Sequence, residues 1–389
     1  MYPLIAAVLA ATLPALYFEW FYGQHLEPVT TAVVFGVGIL AAAFILSWAA
    51  EVAQMDVSRG LALAVLALIA VLPEYAVDLY FAWEAARNPE YIHYATANMT
   101  GANRLLVGLG WPFIMLLFYL KFRKKQLDLD PAARVEISYL TIATIYALFI
   151  PLKGTLTLWD CLILVALFGA YAWRTAFMEV HEPELVGPAR LVGALSTGPR
   201  RIVTLLLFLY AGLVIYSSAE PFAEALVESG KVLGIDEFLL VQWIAPLASE
   251  APEFIIAALW TLRGDAKLAL GALISSKVNQ WTLLVGTIPL VYSISLGAIG
   301  EVPLDTRQNH EVLLTAAQSI FAVAMLVDLR VRLWEMAVLF GLFIVQFVYP
   351  NIRVEVSIAY LILALGLLVP RWRNLGRLMK EGPFPRRAA

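Results

Sequence analysis

The chain has 389 residues, of which 61% are hydrophobic and only 15% charged, whereas a soluble domain averages about half apolar and about a quarter charged. A mean hydropathy of +0.78 excludes an ordinary water-soluble globule, and a net charge of −3 selects no class of partner. The single cysteine, Cys161, excludes a disulfide framework and reads as a small packing residue, and no nucleic-acid motif is present.

In chain order the apolar stretches fall at 3–22, 30–52, 60–85, 93–120, 135–151, 156–177, 200–226, 237–262, 266–296, 310–328, 332–349 and 353–370. Each is near the roughly 20 residues that cross a bilayer core as a helix. The first lacks a positive leading region and holds "YFEWF" where a signal peptide would need small residues, so it is expected to be a retained helix.

Basic residues test that division. With the amino terminus cytoplasmic, 20 of the 27 Lys and Arg fall in inner segments and five in outer ones: Arg87, Lys153, Lys231, Arg307 and Arg353. The last two, Arg104 and Lys277, lie inside spans. A wrong helix count would scramble this bias, which follows the positive-inside rule. The sequence therefore predicts an all-α integral membrane protein of about 12 transmembrane helices, with both termini cytoplasmic, in the plasma (inner) membrane of a prokaryote. Its partner on this reading is the lipid bilayer, with no nucleic acid, and the basic tail "RWRNLGRLMK" is a cytoplasmic anchor.

No soluble domain interrupts the chain, which reads as one membrane domain over 1–389. The longest polar linker, 178–199, falls near the middle, and a repeat appears across it. "VLPEYAVDLYFAW" (71–83) matches "EAPEFIIAALW" (250–260), and "ATANMTGANRLLVGLGWP" (95–112) matches "GALISSKVNQWTLLVGTIP" (271–289). Trp83 and Trp260, Asn103 and Gln280, and Pro112 and Pro289 are each 177 residues apart. The first Pro-Glu helix starts inside and the second outside, so the repeats are inverted, as in many transporters. The predicted organisation is a first half at 30–177 (repeat about 60–120) and a second at 200–350 (repeat about 237–296), with an extra carboxy-terminal helix at 353–370.

Carboxylates in mid-membrane are costly and normally line a cavity or pair with a partner. Pro73-Glu74 and Pro252-Glu253 each set an anionic oxygen beside a proline, which removes a backbone hydrogen bond and frees a carbonyl one turn earlier. Both prolines are therefore expected to break their helices. Two such elements meeting at the midplane would offer carboxylate and carbonyl oxygens to a hard cation, or a landing place to a proton. Asp78 lies four residues beyond Glu74, and Glu250 three before Glu253, each on the same helical face as its neighbour. Both are candidate ligands or proton carriers. Asn103, Ser275, Ser276, Asn279 and Gln280 are neutral oxygen donors, whose ordinary role would be helix–helix hydrogen bonding. A structural alternative pairs Glu74 and Glu253 with Arg104 and Lys277. His25, His93, His181 and His310 all fall near loops and read as surface residues.

At these residues the sequence resembles the calcium/cation antiporter superfamily, which includes sodium/calcium and proton/calcium exchangers. Its inverted repeats each carry a Gly-Thr/Ser-Ser-x-Pro-Glu element and then a helix with Gly-Ser-Asn-x-x-Asn. "LVESGKVLGIDEFLLVQWIAPLASEAPE" is similar to the lead-in of the second element, and the likeness spans about 30–350, leaving one extra helix at each end. By position the resemblance implies that Glu74 and Glu253 are the central cation-binding glutamates. Asn103 and Gln280 match the second Asn of the following helix, with Asn279 a rival to Gln280, and Ser276 matches its serine. The family's Thr-Ser pair is Ala70-Val71 in the first half and Ser249-Glu250 in the second, so Ser249 and Glu250 join the candidate set. Lys277 replaces an Asn, and Arg104 directly follows Asn103. Both are expected to compensate charge or to couple transport to protons, a fixed cation standing in for a bound one.

The expected function is secondary antiport of Ca2+ or another cation against Na+ or H+, by alternating access, with no resident cofactor. A sodium/proton antiporter that moves no calcium, and a cation channel, stay open as alternatives. An intramembrane hydrolase is disfavoured, since the chain has no His-Glu-x-x-His, no Gly-x-Gly-Asp and no Ser/His pair within spans.

Overall fold

A computed structural model describes residues 2–22, 26–56, 71–177 and 185–383. Arg59, Ala70, His25, His181, Arg386, Arg387, most of the first half of the 60–85 stretch and part of the central linker lie outside the described residues.

Among the described residues, helices occupy every predicted stretch, and the reason is the one that made them visible: in lipid, each backbone N–H and C=O must be satisfied within its own segment. The order is α1 (Tyr2–Tyr17, ending in a π turn), α2 (Pro28–Ala53), α3 (Leu72–Ala85) and α4 (Tyr91–Leu105). A π turn, Leu106–Gly110, joins α4 to α5 (Trp111–Phe122). Then come α6 (Arg134–Ala147), the short α7 (Phe149–Lys153), α8 (Leu158–Ala176), the short α9 (Ala189–Gly193) and α10 (Thr197–Leu233). Next are α11 (Glu237–Arg263) and α12 (Ala266–Asn279), which a second π turn, Gln280–Leu284, joins to α13 (Val285–Leu296). The chain ends with α14 (Thr306–Leu326), α15 (Leu333–Val348) and α16 (Arg353–Glu381). Eight of the helical segments among the described residues are long and apolar enough to cross a membrane.

The two matched regions of sequence fold alike. Each is a helix carrying Pro-Glu (α3, α11), then a helix that passes through a π turn just beyond the site amides (α4–α5, α12–α13). They pack crosswise, α11 along α4 and α13 along α3, so each Pro-Glu helix touches the opposite repeat. Gly264, at φ 116°, ends α11 in a backbone shape that side chains rarely adopt and turns the chain into α12.

One expectation needs correction. Pro252 does not break its helix: α11 runs unbroken through both Pro246 and Pro252. A proline forfeits one hydrogen bond, and dense packing against α4 and α12 holds the flanking turns helical. Pro73 instead sits in the first turn of α3, where its missing N–H would have no partner in any case.

Outside the helices, two small antiparallel pairs clip loops together. β1 (Gln126–Asp128) pairs with β4 (Arg330–Arg332), with Leu127 opposite Val331. β2 (Thr155–Leu156) pairs with β3 (Val302–Pro303), with Leu156 opposite Val302. The first pair joins two loops that the charge count puts inside, and the second joins two that it puts outside. Ion pairs repeat the pattern. Asp56–Arg200 (2.6 Å) and Arg134–Glu381 (3.5 Å) link segments that the charge count puts inside, while His93–Asp305 (3.4 Å) and Asp236–Arg307 (2.8 Å) link segments that it puts outside.

Candidate functional site

Glu74 leads α3 and Glu250 sits mid-way along α11, and both are buried, at 3% and 2% exposure. Gln280, at the start of the second π turn, holds them together. Its Nε2 donates to Glu74 Oε2 (3.1 Å) and to Glu250 Oε1 (2.8 Å). One carboxylate from each repeat therefore shares a single amide group. The second oxygens, Glu74 Oε1 and Glu250 Oε2, and Gln280 Oε1 itself have no hydrogen-bond partner among the described residues. Buried acceptors are normally satisfied, and each exception needs an explanation. Three unsatisfied acceptors around one amide make a centre rich in oxygen and poor in protons.

The remaining candidates surround this centre in three groups. Asp78, one turn along α3, accepts from Asn98 Nδ2 (2.7 Å), and its Oδ2 has no partner among the described residues. Lys277 is fully buried, and its Nζ donates to Asn103 Oδ1 (2.6 Å) and to the Asn103 carbonyl (3.4 Å). It also lies 4.4 Å from the centroid of the Trp281 ring. Its charge is thus solvated by an amide and a π face. Among the described residues no carboxylate comes within ion-pair distance of it.

Glu253, Ser276 and Asn279 lie on the walls of a cavity of about 390 Å³. Asn279 Oδ1 also accepts from the Tyr75 hydroxyl (3.0 Å), and Ser275 Oγ is 2.6 Å from the Tyr171 hydroxyl. Other walls come from Ser47 and Glu51 of α2, from Gln54 just beyond it, and from Trp260 and Leu268. These are the ends of helices that the charge count places on the inner face, so the cavity runs from that face towards the carboxylates.

Two expected site residues are turned elsewhere. Ser249 Oγ donates to carbonyls of its own helix, Ala245 and Pro246, both at 3.2 Å. Arg104 is the larger correction. Its guanidinium pairs with Glu311 Oε2 of α14 (2.5 Å), donates to Gln346 Oε1 (2.6 Å) and lies 5.1 Å from the centroid of the Trp243 ring. Glu311 also binds Arg353 Nε (2.5 Å) and accepts from Gln242 (3.1 Å). Arg104 therefore compensates Glu311, while Glu74 and Glu250 meet Gln280. Glu311, Gln242, Asn98, Tyr75 and Glu51 escaped the sequence reading. Glu311 and Glu51 do leave a trace there, each being a lone acid at the edge of an apolar stretch.

The arrangement matches a known family over most of the chain. The family model described as sodium/calcium exchanger protein matches residues 28–177 and 203–350. The chain belongs to the sodium/calcium exchanger family. It is accordingly an all-α integral membrane protein of the cation antiporters. Among solved structures it is similar to the H+/Ca2+ exchanger CAX, with 46% identity, 97% of this chain and 96% of that chain covered, and a TM-score of 0.94. Native YfkE (15% identity, 88% and 97% covered, TM-score 0.62) and the sodium-calcium exchanger NCX_Mj (15% identity, 84% and 99% covered, TM-score 0.55) share its fold. No curated protein matches the sequence. Within the exchanger fold, the two repeats touch through polar atoms at the Glu74–Gln280–Glu250 bridge, and also at Lys277–Asn103 and Tyr75–Asn279.

Proposed function

We propose that this exchanger moves Ca2+ against H+ through twelve membrane crossings, with both termini cytoplasmic, in a plasma membrane. Glu74 and Glu250 are the shared seat of the two ions. The observation that carries the reading is the oxygen-rich, proton-poor centre around Gln280: three buried acceptors without a donor among the described residues. Two carboxylates side by side in a dry interior need added positive charge. A divalent cation supplies it at once, and two protons supply it equally well, so the ions exclude each other. Asp78 and Glu253 extend the acidic surface on either side, and the amide oxygens of Gln280, Asn279 and Asn98 are neutral ligands of the kind Ca2+ accepts. Lys277, held by Asn103, contributes fixed positive charge that disfavours a second bound cation.

Two further points support Ca2+ and H+. The 46% identity to an H+/Ca2+ exchanger extends over nearly the whole length of both chains. The cavity ending at Glu253 is lined by helix ends that the charge count puts on the inner face, which suits one half of an alternating-access cycle. The inner-facing cavity and the crosswise packing of the repeats give that cycle its parts: rocking one repeat against the other would close the inner cavity and open an outer one.

The test is exchange in proteoliposomes loaded with a calcium reporter and a pH reporter. An imposed pH gradient is expected to drive Ca2+ against H+, and Glu74→Gln together with Glu250→Gln to abolish both fluxes. Gradient-driven flux that survives the double substitution would refute the assignment of the site, and Ca2+ movement without counterflow of protons would refute the exchange.

A further inference from the structure

We infer that Glu51 is a separate cation station at the inner mouth of the cavity, where ions gather before or after the Glu74–Glu250 seat. The inference rests on the transport reading above. Glu51 stands in the last turn of α2 and is 8% exposed. The cavity of about 390 Å³ that it lines with Ser47, Gln54, Glu253, Ser276 and Asn279 is otherwise walled mainly by apolar side chains. Its Oε2 accepts from the Val186 N–H of the central linker (2.8 Å), whereas its Oε1 has no hydrogen-bond partner among the described residues.

A purely structural carboxylate at a linker anchor would have both oxygens satisfied or in water. Glu51 has one oxygen fastened to the linker and one unused, beside a cavity whose far wall carries Glu253. Low-dielectric walls focus the field of a lone carboxylate along such a cleft, which raises the local concentration of cations and their rate of entry. The ligand class is a hydrated cation, Ca2+ in the forward direction, with one carboxylate oxygen and polar groups such as Gln54 and Ser47 as its contacts.

Glu51→Gln separates charge from anchoring, because a glutamine oxygen still accepts from Val186 while the negative charge is gone. The full-length protein would be reconstituted in one orientation and the KM for Ca2+ measured from each face at low and high ionic strength. With Glu51→Gln the inner-face KM is expected to rise about tenfold, the lower end of electrostatic focusing, with maximal rate and outer-face KM within about twofold of wild type. The ionic-strength dependence of the inner-face KM should flatten as well. Glu51→Ala, which also frees the linker, should show at least the same inner-face loss. A Glu51→Gln variant with unchanged inner-face KM overturns the station, and so does one whose KM rises equally from both faces. Wild-type protein that exchanges no Ca2+ would instead overturn the transport reading, which keeps the two failures apart.

Discussion

Glu311 shows what a single buried charge does in this chain. It is fully buried, yet it meets two guanidinium groups, Arg104 and Arg353, and the Gln242 amide. Removing one partner of a buried pair leaves the other uncompensated, which costs about 3–5 kcal/mol. Glu311→Ala is therefore expected to lower the stability of the detergent-solubilised protein by that amount. Arg104→Met with Glu311→Met should recover most of the loss, since no buried charge is then left unmatched beside Arg353, whose side chain is partly exposed. Thermal melts of the two variants against wild type check this, and a double variant no better than Glu311→Ala would overturn it. Just beyond the end of α2, Asp56 receives two hydrogen bonds from Arg200 (2.6 and 2.8 Å) and one from Arg201 (3.1 Å). The Arg200 bonds come first among the causes that hold its carboxyl below the usual aspartate range. A lowered value means that the tie is fully present above the ordinary aspartate pKa and is lost only as pH falls through the lower, folded-state value. Protease cleavage of the 185–200 segment should thus stay slow at mildly acidic pH in wild type, and become fast at all pH values in Asp56→Asn.

At the scale of helices, the site depends on how closely α4 and α11 approach. Pro246 has no N–H to offer the Gln242 carbonyl one turn earlier, and that carbonyl packs against Gly101. A Cβ built on Gly101 would overlap it, so only glycine lets these two helices meet there. Gly101→Ala should force them apart at a cost of about 1–3 kcal/mol, the range for overpacked interiors, and should slow exchange by shifting Asn103 and Lys277. Gly169, where an added Cβ would meet nothing within 4 Å, is the control: Gly169→Ala should leave melting temperature and exchange near wild type. The same interface shows what sequence makes legible. The helices were visible because lipid forces long apolar runs, but their ends less so: the stretch read at 200–226 is helical over Thr197–Leu233 and that at 353–370 over Arg353–Glu381. Glu74, Asp78, Glu250 and Gln280 were visible because polar groups in such runs are rare. The partner of Arg104 was not visible, since Glu311 lies on a helix far along the chain and only folding brings them together. The break expected at Pro252 came from local propensity, which packing on both sides of α11 overrides.

For the whole molecule, the inner cavity predicts which face reaches which residue in the resting protein. Ala272 lies on the wall of that cavity. Thr31 lies by an outer hollow of about 670 Å³ bordered by Glu19, Glu220, Glu224 and Glu228. The charge count puts these two places at opposite faces, and a core cluster that includes Phe35, Phe81, Tyr94 and Phe222 packs α2, which carries Thr31, against α3, α4 and α10. The native Cys161 is buried, so Cys161→Ser gives a quiet background for introduced thiols. In inside-out vesicles a membrane-impermeant maleimide should label Ala272→Cys rapidly and Thr31→Cys slowly, and in right-side-out vesicles the order should reverse. On the proposed alternating-access cycle, an outward-directed proton gradient that populates an outward-open form should slow labelling of Ala272→Cys severalfold. Labelling of Ala272→Cys from the outside alone would invert the topology that the basic residues and the paired loops imply. Equal labelling from both faces would mean an open pore, and with it a channel in place of an exchanger.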